Sequence, residues 1–131
     1  RIGYGIMDKE VAQILNRIRQ PFNVNGLAQV AAEAALADQD FLCRSIDTVH
    51  KGIDFLTKEL SGMGLDPLPT QANFLMVNVK TDATELFNRL LYHGVIVRSM
   101  KSYGFDTFLR INAGTSEENR ACIAALKQVL S

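Results

Sequence analysis

The chain has 131 residues, 47% of them hydrophobic, and this length suits one compact domain with one hydrophobic core. Its 14 basic side chains balance 14 acidic ones, so charge gives no basis for a nucleic-acid partner or an anionic membrane surface. The apolar runs are a few residues long, against the roughly 20 that span a bilayer. We also find no basic segment followed by an apolar one at the start. We therefore expect a cytoplasmic protein that binds neither nucleic acid nor membrane.

Neither the cysteines nor the histidines predict a special site. Cys43 and Cys122 are too few for a disulfide framework and lie in helical patterns, so we expect two buried thiols in a reducing compartment. His50 and His93 have no partners at metal-ligand spacing, and we expect no metal site. The Gly-Tyr-Gly at residues 3–5 lacks the third glycine of a dinucleotide loop and is interpreted as a backbone bend.

Two capped helices are predicted first. Asp8 suits the N-cap of a helix whose apolar side chains recur at helical spacing, and Pro21 stops that helix. Asn25 then caps an alanine-rich helix that runs to about Asp38.

A long helix is predicted over residues 41–63, where apolar side chains alternate spacings of four and three. Gly62 and Gly64 suit its C-terminal end. Three heptads are also compatible with a coiled coil, but Gly52 in the middle and the globular sequence on both sides favour a helix packed along its own domain or spanning two.

Residues 70–131 predict a sheet covered by helices. The sequence pattern indicates strands over 73–79, 95–100 and 107–113, a helix from about 84 to 92, and a closing helix. Thr115 and Glu118 form a capping box before that last helix. The predicted fold class is α/β (α+β), with N-terminal helices followed by a small three-stranded sheet that includes an antiparallel pair.

Two arginines on these strands are candidate anion ligands. Alternation places Arg110 with Phe108 and Asn112 on one face of the third strand, within an otherwise apolar stretch. On the second strand, Arg98 ends the apolar run 95–97. Paired N–H donors allow each guanidinium to bind a carboxylate or a phosphate. Spacing alone favours the simpler interpretation, a structural ion pair.

Five segments together resemble one enzyme family. They are Arg-Ile-Gly-Tyr-Gly at 1–5, Gln-Pro-Phe-Asn-Val-Asn at 20–25, Ala-Asn-Phe at 72–74, Gly-Val-Ile-Val-Arg at 94–98 and Leu-Arg-Ile-Asn-Ala-Gly-Thr at 109–115. In this order and at these separations they resemble the C-terminal part of histidinol-phosphate aminotransferases, fold type I enzymes that use pyridoxal phosphate. The resemblance covers essentially the whole chain.

This resemblance implies a domain organisation. The chain corresponds to a single C-terminal, small-domain fragment over residues 1–131. Within it, residues 1–40 adjoin a missing large cofactor-binding domain, residues 41–63 form a connecting helix, and residues 70–131 form the sheet-and-helix core.

The resemblance also implies roles for three arginines. The position of Arg110 binds the substrate α-carboxylate, and Arg98 and Arg110 together hold the phosphate of histidinol phosphate. Arg1 matches the arginine that pairs with the cofactor phosphate. The Schiff-base lysine of the family precedes Arg1, so no catalytic residue is assigned here, and the isolated fragment is expected to be inactive. The chain's own lysines are interpreted as solvated surface residues, namely Lys9, Lys51, Lys58, Lys80, Lys101 and Lys127.

The implied activity is reversible amino transfer between histidinol phosphate plus 2-oxoglutarate and imidazole-acetol phosphate plus glutamate, in histidine biosynthesis. The family implies a cytoplasmic homodimer with pyridoxal 5'-phosphate as cofactor. A related aminotransferase for aromatic or other amino acids is an alternative that shares the role of Arg110 without requiring Arg98 for a phosphate. An alternative of another class is a small-molecule-binding regulatory module, because the same order of strands and helices occurs in such domains.

Overall fold

The computed structural model describes residues 1–130 and divides the chain into two compact units, residues 1–43 and residues 44 onward. Composition predicted one hydrophobic core, and the buried apolar side chains of the described residues form one cluster, all of it in the second unit. Among the helices described, none is both long and apolar enough to cross a membrane. The predicted division into residues 1–40, 41–63 and 70–131 stays a prediction.

The first unit is helical. Helix α1 spans Lys9–Ile18, and the Asp8 carboxylate accepts a hydrogen bond from the Glu10 amide at 2.8 Å. Helix α2 spans Gly26–Ala37, and the Asn25 side-chain oxygen accepts from the amides of Leu27 and Ala28. Both predicted N-caps are confirmed, since short polar side chains satisfy amides that a helix start leaves unpaired.

Helix α3 spans Gln39–Gly62 and crosses the boundary between the units. Its second half supplies Leu56 and Leu60, which are fully buried in the core. Gly52 is also buried: a Cβ there would lie 2.9 Å from Nδ2 of Asn119 and 3.0 Å from Cβ of Ala113. Residues that follow the last strand, Ala113 and Asn119, approach the helix too closely for a side chain at position 52, which explains a glycine in the middle of this helix.

The sheet has four antiparallel strands in the order β1-β2-β4-β3, namely β1 Asp66–Pro67, β2 Phe74–Asn78, β3 Arg98–Ser99 and β4 Phe108–Asn112. The predicted antiparallel pairing is confirmed, but the predicted number of three strands is wrong. Strand β1 is two residues long and contains a proline, so it has no alternation to detect. The strand predicted over 95–100 is reduced to β3, because only Arg98 and Ser99 pair with β4.

Helices α4 (Ala83–Tyr92) and α5 (Ser116–Leu130) complete the second unit. They contact each other, and α4 also contacts β3 and β4. Leu75 and Leu109 of the sheet join Leu86 and Leu126 of these helices in the core, all of them at most 1% exposed. Burying each such side chain contributes about 1.5–3 kcal/mol, so the second unit has its own source of stability.

The capping box before α5 is confirmed. Oε2 of Glu118 accepts a hydrogen bond from the Thr115 amide at 2.7 Å, and the Thr115 hydroxyl accepts from the Glu118 amide at 3.3 Å. The hydrogen bond from Thr115 lowers the pKa of the Glu118 carboxyl below its ordinary value. Ionised Glu118 thus favours the folded helix start, and this contribution is lost as the pH falls through the lowered pKa.

The two cysteines differ. Cys122 on α5 is buried, as predicted, and burial raises the pKa of its thiol to about 11. Cys43 is exposed, so the prediction of two buried thiols is wrong for this residue. The predicted helix around Cys43 is confirmed, but the first unit provides no core to bury its side chain.

Candidate functional site

One face of the sheet packs on the core, and the other carries the candidate arginines. On β4, Leu109 and Ile111 are buried while Arg110, between them, points to the opposite face. Cross-strand partners share a face, so the pairs Phe74 with Asn112 and Met76 with Arg110 add β2 to it. We call this surface the arginine face and define it by the side chains Phe74, Met76, Asn78, Arg98, Phe108, Arg110 and Asn112.

Arg98 and Arg110 are directly opposite each other on β3 and β4. The sequence placed an arginine on each of two strands, and the register of those strands makes the two arginines neighbours. Like charges facing each other across two strands destabilise a sheet by a few tenths to about 1 kcal/mol. The four ion pairs found among residues 1–130 all use lysines. The simpler interpretation of these arginines, a structural ion pair, is therefore wrong for the described residues.

The guanidinium of Arg110 packs on an aromatic ring. Its Cζ lies 4.9 Å from the ring centroid of Phe74, within the range of a cation–π contact. The half-buried side chain leaves its Nε atom buried without a hydrogen-bond partner among the described residues. An unpaired buried N–H costs about 1–3 kcal/mol, so an acceptor that reached this donor would stabilise the site.

Arg98 is exposed and is held by Tyr103. Its Nη2 donates a hydrogen bond of 3.1 Å to the Tyr103 hydroxyl, and its Cζ lies 5.5 Å from the centroid of the Tyr103 ring. Both guanidiniums on this face thus contact an aromatic ring and keep N–H donors free of carboxylates. Such a pair suits an oxyanion with several acceptor atoms.

The segment after β3 is anchored on helix α4. Nζ of Lys101 donates to Oδ2 of Asp82 at 2.8 Å, and the hydroxyls of Thr84 and Ser99 lie 3.1 Å apart. Asp82 is also the N-cap of α4, and its hydrogen bond from Lys101 is the main reason why its pKa is lowered; the same contact raises the pKa of Lys101. The backbone that carries Arg98 and Tyr103 is therefore fixed at both sides.

Arg1 is exposed and belongs to the first unit, and no ion pair joins it to any residue among 2–130. The structure brings Arg98 and Arg110 together, whereas Arg1 is described only with its own unit. All six lysines are exposed, as predicted. Across residues 1–130, no three histidine, cysteine or acidic side chains are grouped so that they could hold a metal ion.

The contacts of Tyr103 with Arg98 and of Phe74 with Arg110 are not predicted by the sequence analysis. Tyr103 is 59% exposed, so it is not a core residue. The signal available in the sequence was weak: Gly104 follows Tyr103 and has a left-handed φ of 83°, which closes a short 3₁₀ turn over Lys101–Tyr103. That turn brings Tyr103 back towards Arg98.

The family model described as aminotransferase class I and II matches residues 1–126 of the chain. The histidinol-phosphate aminotransferase of Moorella thermoacetica is 45% identical over all of this chain and 34% of its own length. Histidinol-phosphate aminotransferase 2 of Ralstonia nicotianae is 48% identical over all of this chain and 36% of its own length. The chain thus spans about a third of the curated relatives it matches.

Solved structures show the same similarity. The histidinol-phosphate aminotransferase of Sinorhizobium meliloti, in complex with pyridoxal-5'-phosphate, superposes with a TM-score of 0.81 at 30% identity, over 92% of this chain and 34% of that one. The enzyme of Clostridium acetobutylicum also has a TM-score of 0.81, at 25% identity over 94% and 38% of the two chains. The predicted fold class is confirmed, and the chain belongs to the class I and II aminotransferases.

Proposed function

We propose that this chain is the C-terminal part of a pyridoxal-phosphate-dependent histidinol-phosphate aminotransferase. Relatives of that name are 42–48% identical over 99–100% of the chain. The reaction moves the amino group of histidinol phosphate to 2-oxoglutarate, yielding imidazole-acetol phosphate and glutamate, in histidine biosynthesis. The complete enzyme is proposed to be a cytoplasmic homodimer.

The observation that carries this proposal is the opposed pair Arg98 and Arg110 on the arginine face. A phosphate dianion has the charge to neutralise two guanidiniums and enough oxygens to accept from both. In the place of that phosphate, glutamate presents an α-carboxylate of single charge, for which the guanidinium of Arg110 is sufficient. One arginine therefore serves both substrates, and the second distinguishes the phosphorylated one.

Pyridoxal phosphate, when bound, supplies the electron sink for amino transfer. On this chain, the exposed Arg1 has no competing carboxylate partner among residues 2–130, so its guanidinium is suited to pair with the cofactor phosphate. Arg98 and Arg110 bind and orient the anionic substrates. The lysine that moves the proton is proposed to lie outside this chain.

The test compares three alanine variants of the complete enzyme. We expect Arg98→Ala to weaken kcat/KM for histidinol phosphate by about 10–100-fold and to leave the KM for glutamate unchanged, because charged hydrogen bonds contribute about 1.5–3 kcal/mol. Arg110→Ala should lower kcat/KM for both substrates. Arg89→Ala, an exposed arginine on α4, is the matched control and should change neither.

The outcomes separate the alternatives. The proposed substrate would be contradicted if the enzyme prefers aromatic amino acids and Arg98→Ala leaves its kinetics with histidinol phosphate unchanged. That result would support a related aminotransferase.

The isolated chain, mixed with pyridoxal phosphate and both substrates, should show no turnover. Turnover by the isolated chain would show that the proton-moving lysine lies within it. Saturable binding of a small anion by a complete protein without transaminase activity would support a regulatory module.

A further inference from the structure

Tyr103 contacts Arg98 in two ways, through its hydroxyl at 3.1 Å and through its ring at 5.5 Å. A free arginine side chain at the end of a short edge strand has many rotamers, and fixing it costs entropy when a ligand binds. The hydrogen bond limits where Nη2 can lie, and the ring limits the plane of the guanidinium. Together they restrict Arg98 to a geometry beside Arg110 before any ligand arrives.

Tyr103 is itself held in place by its backbone rather than by burial. Its amide donates to the Met100 carbonyl at 2.9 Å, and the amide of Gly104 donates to the Lys101 carbonyl at 2.9 Å. The Met100 amide bonds the Phe108 carbonyl at 3.0 Å, which ties the turn to β4. With the Lys101 contact to Asp82, this turn is a rigid platform for an exposed aromatic side chain.

We propose that Tyr103 is a positioning residue that acts through Arg98 and sets the preference of the site for a phosphorylated substrate. This inference rests on the proposed function, since it assigns Arg98 to the substrate phosphate. A tyrosine that is 59% exposed contributes little to the core, and two contacts join its side chain to Arg98. Preorganisation of this kind improves affinity without adding a contact to the ligand.

The experiment uses the complete enzyme loaded with pyridoxal phosphate, so that the cofactor's own phosphate site is filled, and titrates inorganic phosphate by calorimetry. We expect Tyr103→Phe, which keeps the ring, to weaken phosphate binding about threefold, and Tyr103→Leu about tenfold, from a net hydrogen bond plus an exposed cation–π contact. Tyr92→Phe and Tyr92→Leu are the matched controls, because Tyr92 is 92% exposed at the end of α4. Both controls should bind phosphate as the wild type does.

A double-variant cycle decides whether Tyr103 acts through Arg98. In the Arg98→Ala background, adding Tyr103→Leu should produce no further loss of phosphate affinity. A further tenfold loss in that background would overturn the proposal, as would phosphate affinity unchanged by both Tyr103 substitutions or a wild type that binds no phosphate. Tyr103→Phe keeps the test valid should Tyr103→Leu fail to fold.

Steady-state kinetics separate this inference from the proposed function. Tyr103→Leu should raise the KM for histidinol phosphate about tenfold with kcat little changed, and it should leave the KM for glutamate unaltered. An equal loss for both substrates would indicate a general structural role and contradict the inference. If the enzyme does not turn over histidinol phosphate, the proposed function fails, while the phosphate titration still decides the role of Tyr103.

Discussion

The two units of this chain treat apolar side chains in opposite ways. In residues 1–43, all of which are described, fourteen large apolar side chains are exposed and neither α1 nor α2 contains a buried residue. In the second unit, Leu56 and Leu109 are fully buried in a cluster drawn from helices and sheet. The second unit therefore builds a core from its own residues, and the first does not.

This difference shows what helical periodicity can establish. The apolar stripe of α1 has the same three-and-four spacing as the buried half of α3, yet Ile14 is 57% exposed and Leu60 is 0% exposed. Periodicity identifies the apolar face of a helix, but the partner for that face comes from tertiary structure. Under the proposed function, the rest of the enzyme supplies the partner for the first unit.

The largest expected effect comes from paired leucine truncations. Leu109→Ala should lower the free energy of unfolding by about 2–5 kcal/mol, because it leaves a cavity in the core. Leu27→Ala, on an 83% exposed residue of α2, should change it by less than about 0.5 kcal/mol. Urea unfolding of the chain followed by circular dichroism measures both. Equal losses would show that the first unit has a core of its own.

Each unit contains one cysteine, which allows a chemical comparison. With a pKa of about 11, Cys122 is ionised to about one part in a thousand at pH 8, against about one in eleven at the ordinary value of 9.0. Burial slows its reaction further. We expect iodoacetamide to modify exposed Cys43 at least about 100-fold faster than Cys122 in the folded chain.

Mass spectrometry of timed samples measures this ratio, with Cys43→Ser isolating the signal of Cys122. The two rates should converge in concentrated urea, where burial is lost. Rapid labelling of Cys122 in the folded chain would contradict the burial of Cys122 described above.

A smaller effect is expected from alanine at two helical glycines. Gly52→Ala should destabilise the chain by about 1–3 kcal/mol, because its Cβ would be too close to Asn119 and Ala113. The control is Gly26→Ala in α2, where a Cβ meets nothing within 4 Å and alanine favours the helix. Thermal unfolding compares the two, and a stabilised Gly52→Ala variant would refute the close approach of Gly52 to Asn119 and Ala113.

The sequence predicted best what depends on neighbouring residues. Asp8 and Asn25 placed two helix starts correctly, since capping involves amides two or three positions away. Strand β1 was missed and β3 was overestimated because pairing depends on residues distant in sequence, such as Asn78 opposite Asp66. Local propensity contains no information about such partners.

The candidate site shows the same limit. Alternation along β4 placed Arg110 on the face away from the core, and the family resemblance identified Arg98 as its companion. The contacts that hold these arginines were not predictable from spacing, because they depend on the φ of Gly104 and on the register of β2 beside β4. The sequence therefore predicted the charges of the site and not their supports.

Strand β4 is five residues long, and it contacts the core on one side and presents Arg110 on the other. A deletion or insertion of one residue before Leu109 would exchange the two sides, pushing a guanidinium into the interior and a leucine onto the arginine face. Stability would be lost and, under the proposed function, substrate recognition would be lost in the same step. Evolution of new specificity in this region is therefore expected to proceed by substitution on β4, with changes of length confined to the turn before it.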